Sequence, residues 1–359
     1  MTETDARLKL EAELKKKFKI SAIDYDNLPA TGAYSTGAIE LDLVSGIGGF
    51  PKGKMIEIFG PESGGKSIIL LQAIANAQKI YGKPSAYFDL ESATPPSWMT
   101  TLGIDMANLT TIPSDPELYA ERALDMVTDM IRANIYAYIG IDSVVGLVPK
   151  AEMDGSLEKH TMAELARVMS RSLKQLVPEL RKSDTCVVFI NQIREKVGQM
   201  FGNPETTPGG RALKFFASQR YRVSPQFGAG SKFTEKGTQI GHTVKIKNVK
   251  NKLAAPTHEG TFDVYYTSGI DAISNLFKNG VKYNVITKEK QTYSYTIPNP
   301  LDPETEPIQK LRVVGKDAFK DELLHDAASQ ALIYNDILAK FMKGDLIESE
   351  LEDDDFDNI

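Results

Sequence analysis

Residues Gly60-Pro61-Glu62-Ser63-Gly64-Gly65-Lys66-Ser67 have the spacing G-x4-G-K-[ST]. In such a loop successive backbone N–H groups turn inward on phosphate oxygens. A β-rich run, Met55–Phe59, precedes the loop and an apolar helical pattern follows it. The loop therefore ends at a helix N-terminus, whose positive dipole end favours anions. Lys66 supplies a point charge for the β- and γ-phosphates, and the Ser67 hydroxyl a ligand for Mg²⁺. The chemistry implied is binding and hydrolysis of a nucleoside triphosphate.

Two strand-end acids complete that chemistry. Ile139-Gly-Ile-Asp142-Ser143 closes an apolar run in a carboxylate. An acid so placed is often a helix cap, but with a phosphate loop upstream it reads as the residue that holds magnesium through water. Phe88-Asp89-Leu90-Glu91 closes another run. There Glu91 is either the base that orients an attacking water or a plain loop acid.

These residues need a sheet to bring them together. Apolar runs at 54–59, 85–89, 135–141 and 185–190 read as strands, and 3.6-periodic stretches at 66–81, 115–133 and 161–182 as helices. Their alternation predicts a parallel sheet covered on both faces. Runs at 219–224, 242–250 and 261–266 extend it. The fold class expected is α/β: a P-loop core with a mostly parallel sheet flanked by helices, preceded by an N-terminal helix and extended segment. A small α+β C-terminal domain, helical from 316 to 343, follows. The expected boundaries are 1–34, 35–270, 271–345 and an acidic tail, 346–359.

The chain has 359 residues, 42% hydrophobic and 25% charged, which is the composition of a soluble globular protein. No apolar run approaches the roughly 20 residues of a membrane span, and the charged N-terminus lacks a signal-peptide core. Cys186, the single cysteine, lies in an apolar run and reads as a buried core residue. A cytoplasmic protein is expected. The net charge of −6 speaks against a nucleic-acid partner until its distribution is considered. Seven acids between Glu348 and Asp357 carry it, and without them the rest of the chain stands at +1. Such a tail is either a solubility device or an intramolecular competitor for a basic surface.

Longer stretches resemble the bacterial RecA recombinases: STGAIELDL (35–43), FPKGKMIEIFGPESGGKS (50–67), IDSVVGLVPKAE (141–152), FINQIREKVGQMFGNPETTPGGRALKF (189–215) and VKNKLAAP (249–256). The resemblance runs from about 35 to 270 and weakens at both ends, as a phage or mobile-element version would. It implies ATP and Mg²⁺ as cofactors, Glu91 as catalytic glutamate, Asp142 as the magnesium acid and Gln192 as the γ-phosphate sensor. Trp98 stands where the family has a tyrosine against the adenine, and an indole offers the same flat surface. Pro95 replaces an expected aspartate. Lys250 and Lys252 match lysines that reach a neighbouring subunit's ATP and stabilise charge on its γ-phosphate.

The resemblance also places two loops, about 152–163 and 193–211, against DNA. Long irregular loops are generally functional. The second carries Arg194, Lys196 and Arg211, and its Gly209 and Gly210 leave backbone N–H groups to approach a phosphate. On the helix before it, Arg167, Ser170, Arg171 and Lys174 lie near one another by i, i+3 and i+4 spacing. Met162 and Val197 match side chains that wedge between bases, and Phe201 is a loop aromatic whose exposure would be costly unless a partner covers it. Glu195 and Arg211 depart from the family pattern. Phosphate contacts dominate such binding and carry no sequence information.

The function implied is a filament on single-stranded DNA that uses ATP to pair and exchange it with a homologous duplex. The partners are single-stranded DNA, homologous double-stranded DNA and further copies of the chain. A single-strand-binding protein or loader is left open, and a membrane is not expected. Two alternatives remain: a ring-forming motor on the same core, such as a helicase, and a non-catalytic mediator filament coating DNA.

Overall fold

The computed structural model describes residues 9, 13, 16–17, 32–154, 162–195, 205–228, 230–256, 258–298 and 308–343. Two units are distinguished, Met1–Gly32 and Ala33–Ile359. In the first, the described residues Lys9, Glu13, Lys16 and Lys17 are helical, as the amphipathic spacing predicts. The acidic tail lies outside the described residues.

The second unit is built on a ten-stranded sheet. We number β3 (Met55–Gly60), β4 (Ser85–Asp89), β5 (Leu109–Pro113), β6 (Tyr138–Asp142), β7 (Cys186–Gln192), β10 (Gln219–Pro225), β11 (Lys232–Glu235), β12 (Thr238–Asn251), β13 (Glu259–Tyr265) and β14 (Gly269–Ile270). The short pairs β1 (Ala33–Tyr34) with β2 (Phe50–Pro51) and β8 (Arg194–Glu195) with β9 (Glu205–Thr206) lie apart from it. The order is β14-β13-β12-β10-β3-β7-β6-β4-β5, with β11 on β12. From β10 to β5 the strands are parallel, and β12 onward is antiparallel. The carboxyl ends of β3, β7, β6 and β4 therefore share one edge, where open α/β sheets bind ligands.

The helices follow the apolar spacing. We number α1 (Ile39–Ser45), α2 (Lys66–Tyr81), α3 (Pro96–Thr101), α4 (Ala120–Ala133), α5 (Lys150–Met153), α6 (Met162–Leu180) and α7 (Ala212–Phe216). Helix α2 buries Ile68, Ile69, Leu70, Leu71 and Ile74 against one face of the sheet together with Tyr87, Val188 and Tyr221. An apolar surface on nearly every side marks a helix enclosed by neighbours. Helix α6 is amphipathic instead. Met169, Leu173, Leu176 and Leu180 pack with α4 on the opposite face of the sheet, while Arg167, Arg171 and Lys174 point to solvent. Truncating Leu173 to alanine should cost about 2–5 kcal/mol, and the basic row is held in place by that burial.

Several expectations need adjustment. Helix α4 starts at Ala120, not 115, because Asp115 accepts the Glu117 backbone N–H at 2.7 Å in a turn containing Pro116. The stretch 316–343, expected to be helical, forms two helices, α9 (Lys316–His325) and α10 (Ala327–Lys343), since Asp326 accepts the Ser329 N–H and restarts the helix. Strand β5 and helix α3 have no counterpart in the reading of the sequence. The strand β5 lies at the sheet edge and alternates poorly, whereas α3 is a short helix opened by Pro96 at its N-terminus. Beyond 270 come α8 (Ala272–Lys282) and an antiparallel sheet of β15 (Thr287–Glu289), β16 (Thr292–Ile297) and β17 (Ile308–Val314). Its core of Phe277, Tyr295, Phe319 and Ile337 takes in Ile39 and Leu43 from α1.

A candidate nucleotide site and nucleic-acid face

The loop between β3 and α2 forms a concave nest. Ser63 and Gly65 both have positive φ, 56° and 87°, and such turns direct successive N–H groups inward. Gly65 is required twice over: its left-handed conformation caps α2, and a Cβ there would sit 3.3 Å from Val244 on β12. A cavity of about 280 Å³ opens over Ser63–Ile68, bounded on its other side by His242 and Tyr266. Lys66 is buried and donates to the Pro61 carbonyl at 2.5 Å. Burial pushes its ammonium below the usual lysine range, against the pull of Asp142, Glu91 and Glu62.

Parallel pairing sets the acids beside this loop. Asp142 at the end of β6 accepts from Ser67 Oγ at 2.5 Å and from Tyr87 Oη at 2.8 Å. Burial raises the Asp142 carboxyl, while the Ser67 and Tyr87 hydrogen bonds lower it. A hydroxyl and a carboxylate are the hard oxygen donors Mg²⁺ takes, with water and phosphate filling the rest. Among the described residues no cluster of three or more acidic, histidine or cysteine ligands competes with that pair.

Glu91 follows β4 and accepts from Ser143 Oγ and from Gln192 Nε2, the latter at 3.3 Å. Gln192 ends β7 opposite Gly60 in register, and its Oε1 accepts from Arg194 at 3.2 Å. Asn191 anchors the same strand end, donating to Glu57 at 3.0 Å and to the Pro208 carbonyl at 3.1 Å. Both ends of the second loop are thereby tied to the P-loop strand, and β8 pairs β9 to close its base.

Trp98 does not line the cavity. Its indole N–H donates to the Tyr266 carbonyl at 3.0 Å, so the ring is connected to the cavity through Tyr266. Neither Tyr266 nor His242 stood out in the sequence, because a Tyr-Tyr strand end and a lone histidine are common core features.

Lys250 and Lys252 do not meet the P-loop of their own chain. Lys250 Nζ donates to the carbonyls of Lys214 and Phe215 at 2.6 and 2.8 Å, and Lys252 Nζ to Phe215 at 3.0 Å. The pair caps the C-terminal end of α7, where carbonyls attract cations. Burial, with Lys252 and Arg220 nearby, pushes Lys250 down to about 8. Beside them Phe215 is 71% exposed.

Arg167, Ser170, Arg171 and Lys174 line a concavity of about 590 Å³ on α6. Arg167 is paired with Glu164 at 2.6 Å, whereas Arg171 and Lys174 have no ion-pair partner among the described residues. Gly209 and Gly210 both have positive φ, 83° and 76°. Gly209 is buried against Val144 and Met169, and a Cβ on Gly210 would meet Ala166 Cβ at 2.7 Å. The space the glycines free is filled by Val144, Met169 and Ala166. Lys196, Val197, Phe201 and the Met162 side chain lie outside the described residues. No described helix is long and apolar enough to cross a membrane.

The model of the RecA N-terminal domain family matches residues 9–271. Protein RecA of Aquifex pyrophilus is 42% identical over 276 residues, covering 77% of this chain and 75% of that protein. Protein RecA of Mesomycoplasma hyopneumoniae is 41% identical over 303 residues, covering 82% and 87%. Protein RecA of Clostridium acetobutylicum is 43% identical over 263 residues, covering 73% of each.

Proposed function

Because the chain belongs to the RecA family, we propose that it is an ATP-dependent recombinase that forms a filament on single-stranded DNA and exchanges it with a homologous duplex. The observation that carries this reading is the division of the hydrolytic set. Lys66, Ser67, Asp142, Glu91 and Gln192 converge at one sheet edge, while Lys250 and Lys252 point to the end of α7 beside an exposed Phe215. A site so divided is complete only when two subunits meet.

In this reading Gly60, Pro61, Glu62, Ser63, Gly64, Gly65, Lys66 and Ser67 hold the ATP phosphates, and Ser67 with Asp142 holds Mg²⁺. Bound ATP supplies the γ-phosphate whose presence is sensed and whose cleavage resets the filament. Glu91 orients water, restrained by Ser143 and Gln192. Gln192 passes the state of the site to the loop it opens, through Arg194 and the β8–β9 ladder. Arg171, Lys174, Arg167, Ser170 and Arg211 hold the DNA backbone, which yields low sequence specificity. Trp98 acts on the nucleotide by fixing Tyr266.

Exchange between circular single-stranded DNA and a homologous linear duplex, with ATP and Mg²⁺, tests the reading. Joint molecules that require both ATP and homology support it. Robust DNA-stimulated hydrolysis with no joint molecules would reject it, and unwinding of a forked duplex in their place would identify a ring-type motor.

A further inference from the structure

Tyr87 is completely buried on β4, among the apolar side chains that α2 lays on the sheet. Strand β4 runs parallel to β6, with Tyr87 opposite Gly140 and Asp89 opposite Asp142. The phenol Oη lies 2.8 Å from Asp142 Oδ2 and 3.1 Å from Thr94 Oγ1. A phenol carries one proton at neutral pH and a carboxylate only accepts. Tyr87 therefore donates to Asp142, and Thr94 donates to Tyr87. Thr94 is itself held, because its N–H and that of Ala93 donate to the Asp89 carboxylate, each at 3.2 Å. Other buried tyrosines of this sheet settle on uncharged partners: Tyr138 on the Tyr34 carbonyl and Tyr221 on the Gln219 side-chain amide.

Ser67 Oγ donates to the same Oδ2 at 2.5 Å. Two hydroxyls thus converge on one oxygen of Asp142, and no described residue donates to Oδ1. A carboxylate pinned through one oxygen keeps the other for a further contact. We propose that Tyr87 is a positioning residue for the magnesium acid: backed by Thr94, its hydroxyl fixes the Asp142 carboxylate so that Oδ1 faces the water around the ion. The inference rests on the reading of Ser67 and Asp142 as the magnesium pair. Hydrogen bonds that orient a metal-binding side chain contribute strongly to metal affinity. One made to a carboxylate is roughly twice as strong as one between neutral groups. The turn that carries Thr94 also carries Glu91, between Asp89 and Ala93. One short segment therefore sets both the acid that orients water and the acid that holds the ion.

Calorimetric titration of wild type, Tyr87→Phe and Thr94→Val with Mg²⁺-ATP, and with ATP in excess EDTA, tests this. Phenylalanine keeps the buried ring and removes only the hydroxyl. Tyr87→Phe should bind Mg²⁺-ATP about tenfold more weakly, the lower end of the loss when a group that orients a metal site is removed. Its affinity for metal-free ATP should equal wild type, because the P-loop N–H groups and Lys66 act without the ion. Thr94→Val should show a smaller loss of the same kind, and serves if Tyr87→Phe does not fold. Unchanged Mg²⁺-ATP affinity in Tyr87→Phe overturns the proposal. So does an equal loss with and without metal, which means that the hydroxyl only supports packing. A wild-type protein that binds both forms of ATP equally, or neither, overturns the magnesium reading itself and the inference with it.

Discussion

Gln192, the last residue of strand β7, donates its side-chain amide to Glu91 Oε1 at 3.3 Å, joining it to an acid that follows β4 and lies 101 residues away in the chain. Through Arg194 the same glutamine faces the loop that follows. Glu91→Gln should therefore retain ATP binding and lose turnover by about 10²-fold or more, the size of general-base contributions. Gln192→Ala should bind ATP normally yet lose the stimulation of hydrolysis by single-stranded DNA. Steady-state hydrolysis with and without DNA separates the two. Equal basal and stimulated rates in wild type and Gln192→Ala would remove the glutamine from the signalling path.

Lys66 is buried with its ammonium on a loop carbonyl, and burial depresses its pKa. The site already bears the cost of holding that charge, and bound phosphates would relieve it. Lys66→Ala should keep the fold and lose both ATP binding and hydrolysis. Fluorescent-nucleotide titration checks this: retention of wild-type affinity would mean that the loop N–H groups suffice.

On α6, Arg171 and Lys174 are unpaired among the described residues, whereas Arg167 is engaged by Glu164. Each phosphate contact on a single strand contributes about 0.7 to the slope of log affinity against log salt. Arg171→Ala with Lys174→Ala should therefore reduce the slope by about 1.4. Arg167→Ala should do less, because breaking the Glu164 pair offsets its gain. Anisotropy measurements at several salt concentrations decide; an unchanged slope in the double variant would place the DNA elsewhere.

Asp42 is fully buried and accepts from Thr36, Ser35 and Tyr334, the last on α10. Burial, opposed by those hydrogen bonds, raises its carboxyl from 3.8 to about 6. A carboxyl raised on folding opposes stability above the folded pKa, and the penalty fades as pH falls from about 6 toward 3.8. The difference corresponds to about 3 kcal/mol. The melting temperature of wild type relative to Asp42→Asn should therefore rise between pH 7 and pH 5. A difference that is flat over that window would show that Asp42 does not titrate there.

The phosphate loop, both strand-end acids and the strands that carry them were legible because their signals are local. A motif fixes Lys66 and Ser67, and an apolar run ending in an acid fixes Asp142. What escaped the sequence depends on distant pairing. Tyr266 and His242 reach the cavity only because β12 pairs antiparallel with β10 and β13 with β12, and no local pattern near them announces a ligand. Trp98 reads by analogy as a stacking surface, and the structure adds an edge contact, its N–H donating to the Tyr266 carbonyl. Gly209 and Gly210 read as residues that leave N–H groups open to DNA, and the structure adds a positive φ at both and close contact with Val144 and Ala166 respectively. The edge strand β5 was missed because three of its five residues are exposed and only Leu109 is buried, which leaves no apolar alternation to read.

The central claim is that ATP is hydrolysed between subunits, with Lys250 and Lys252 serving the P-loop of a neighbour. Mixing Lys250→Ala with Glu91→Gln protein on single-stranded DNA tests it most directly, with co-assembly followed by energy transfer between labelled copies. Each variant alone lacks one part of every site, whereas some mixed junctions unite an intact Glu91 with an intact Lys250. The account predicts that the mixture recovers a measurable share of wild-type DNA-stimulated hydrolysis. A mixture that co-assembles and stays as inactive as its components would contradict it.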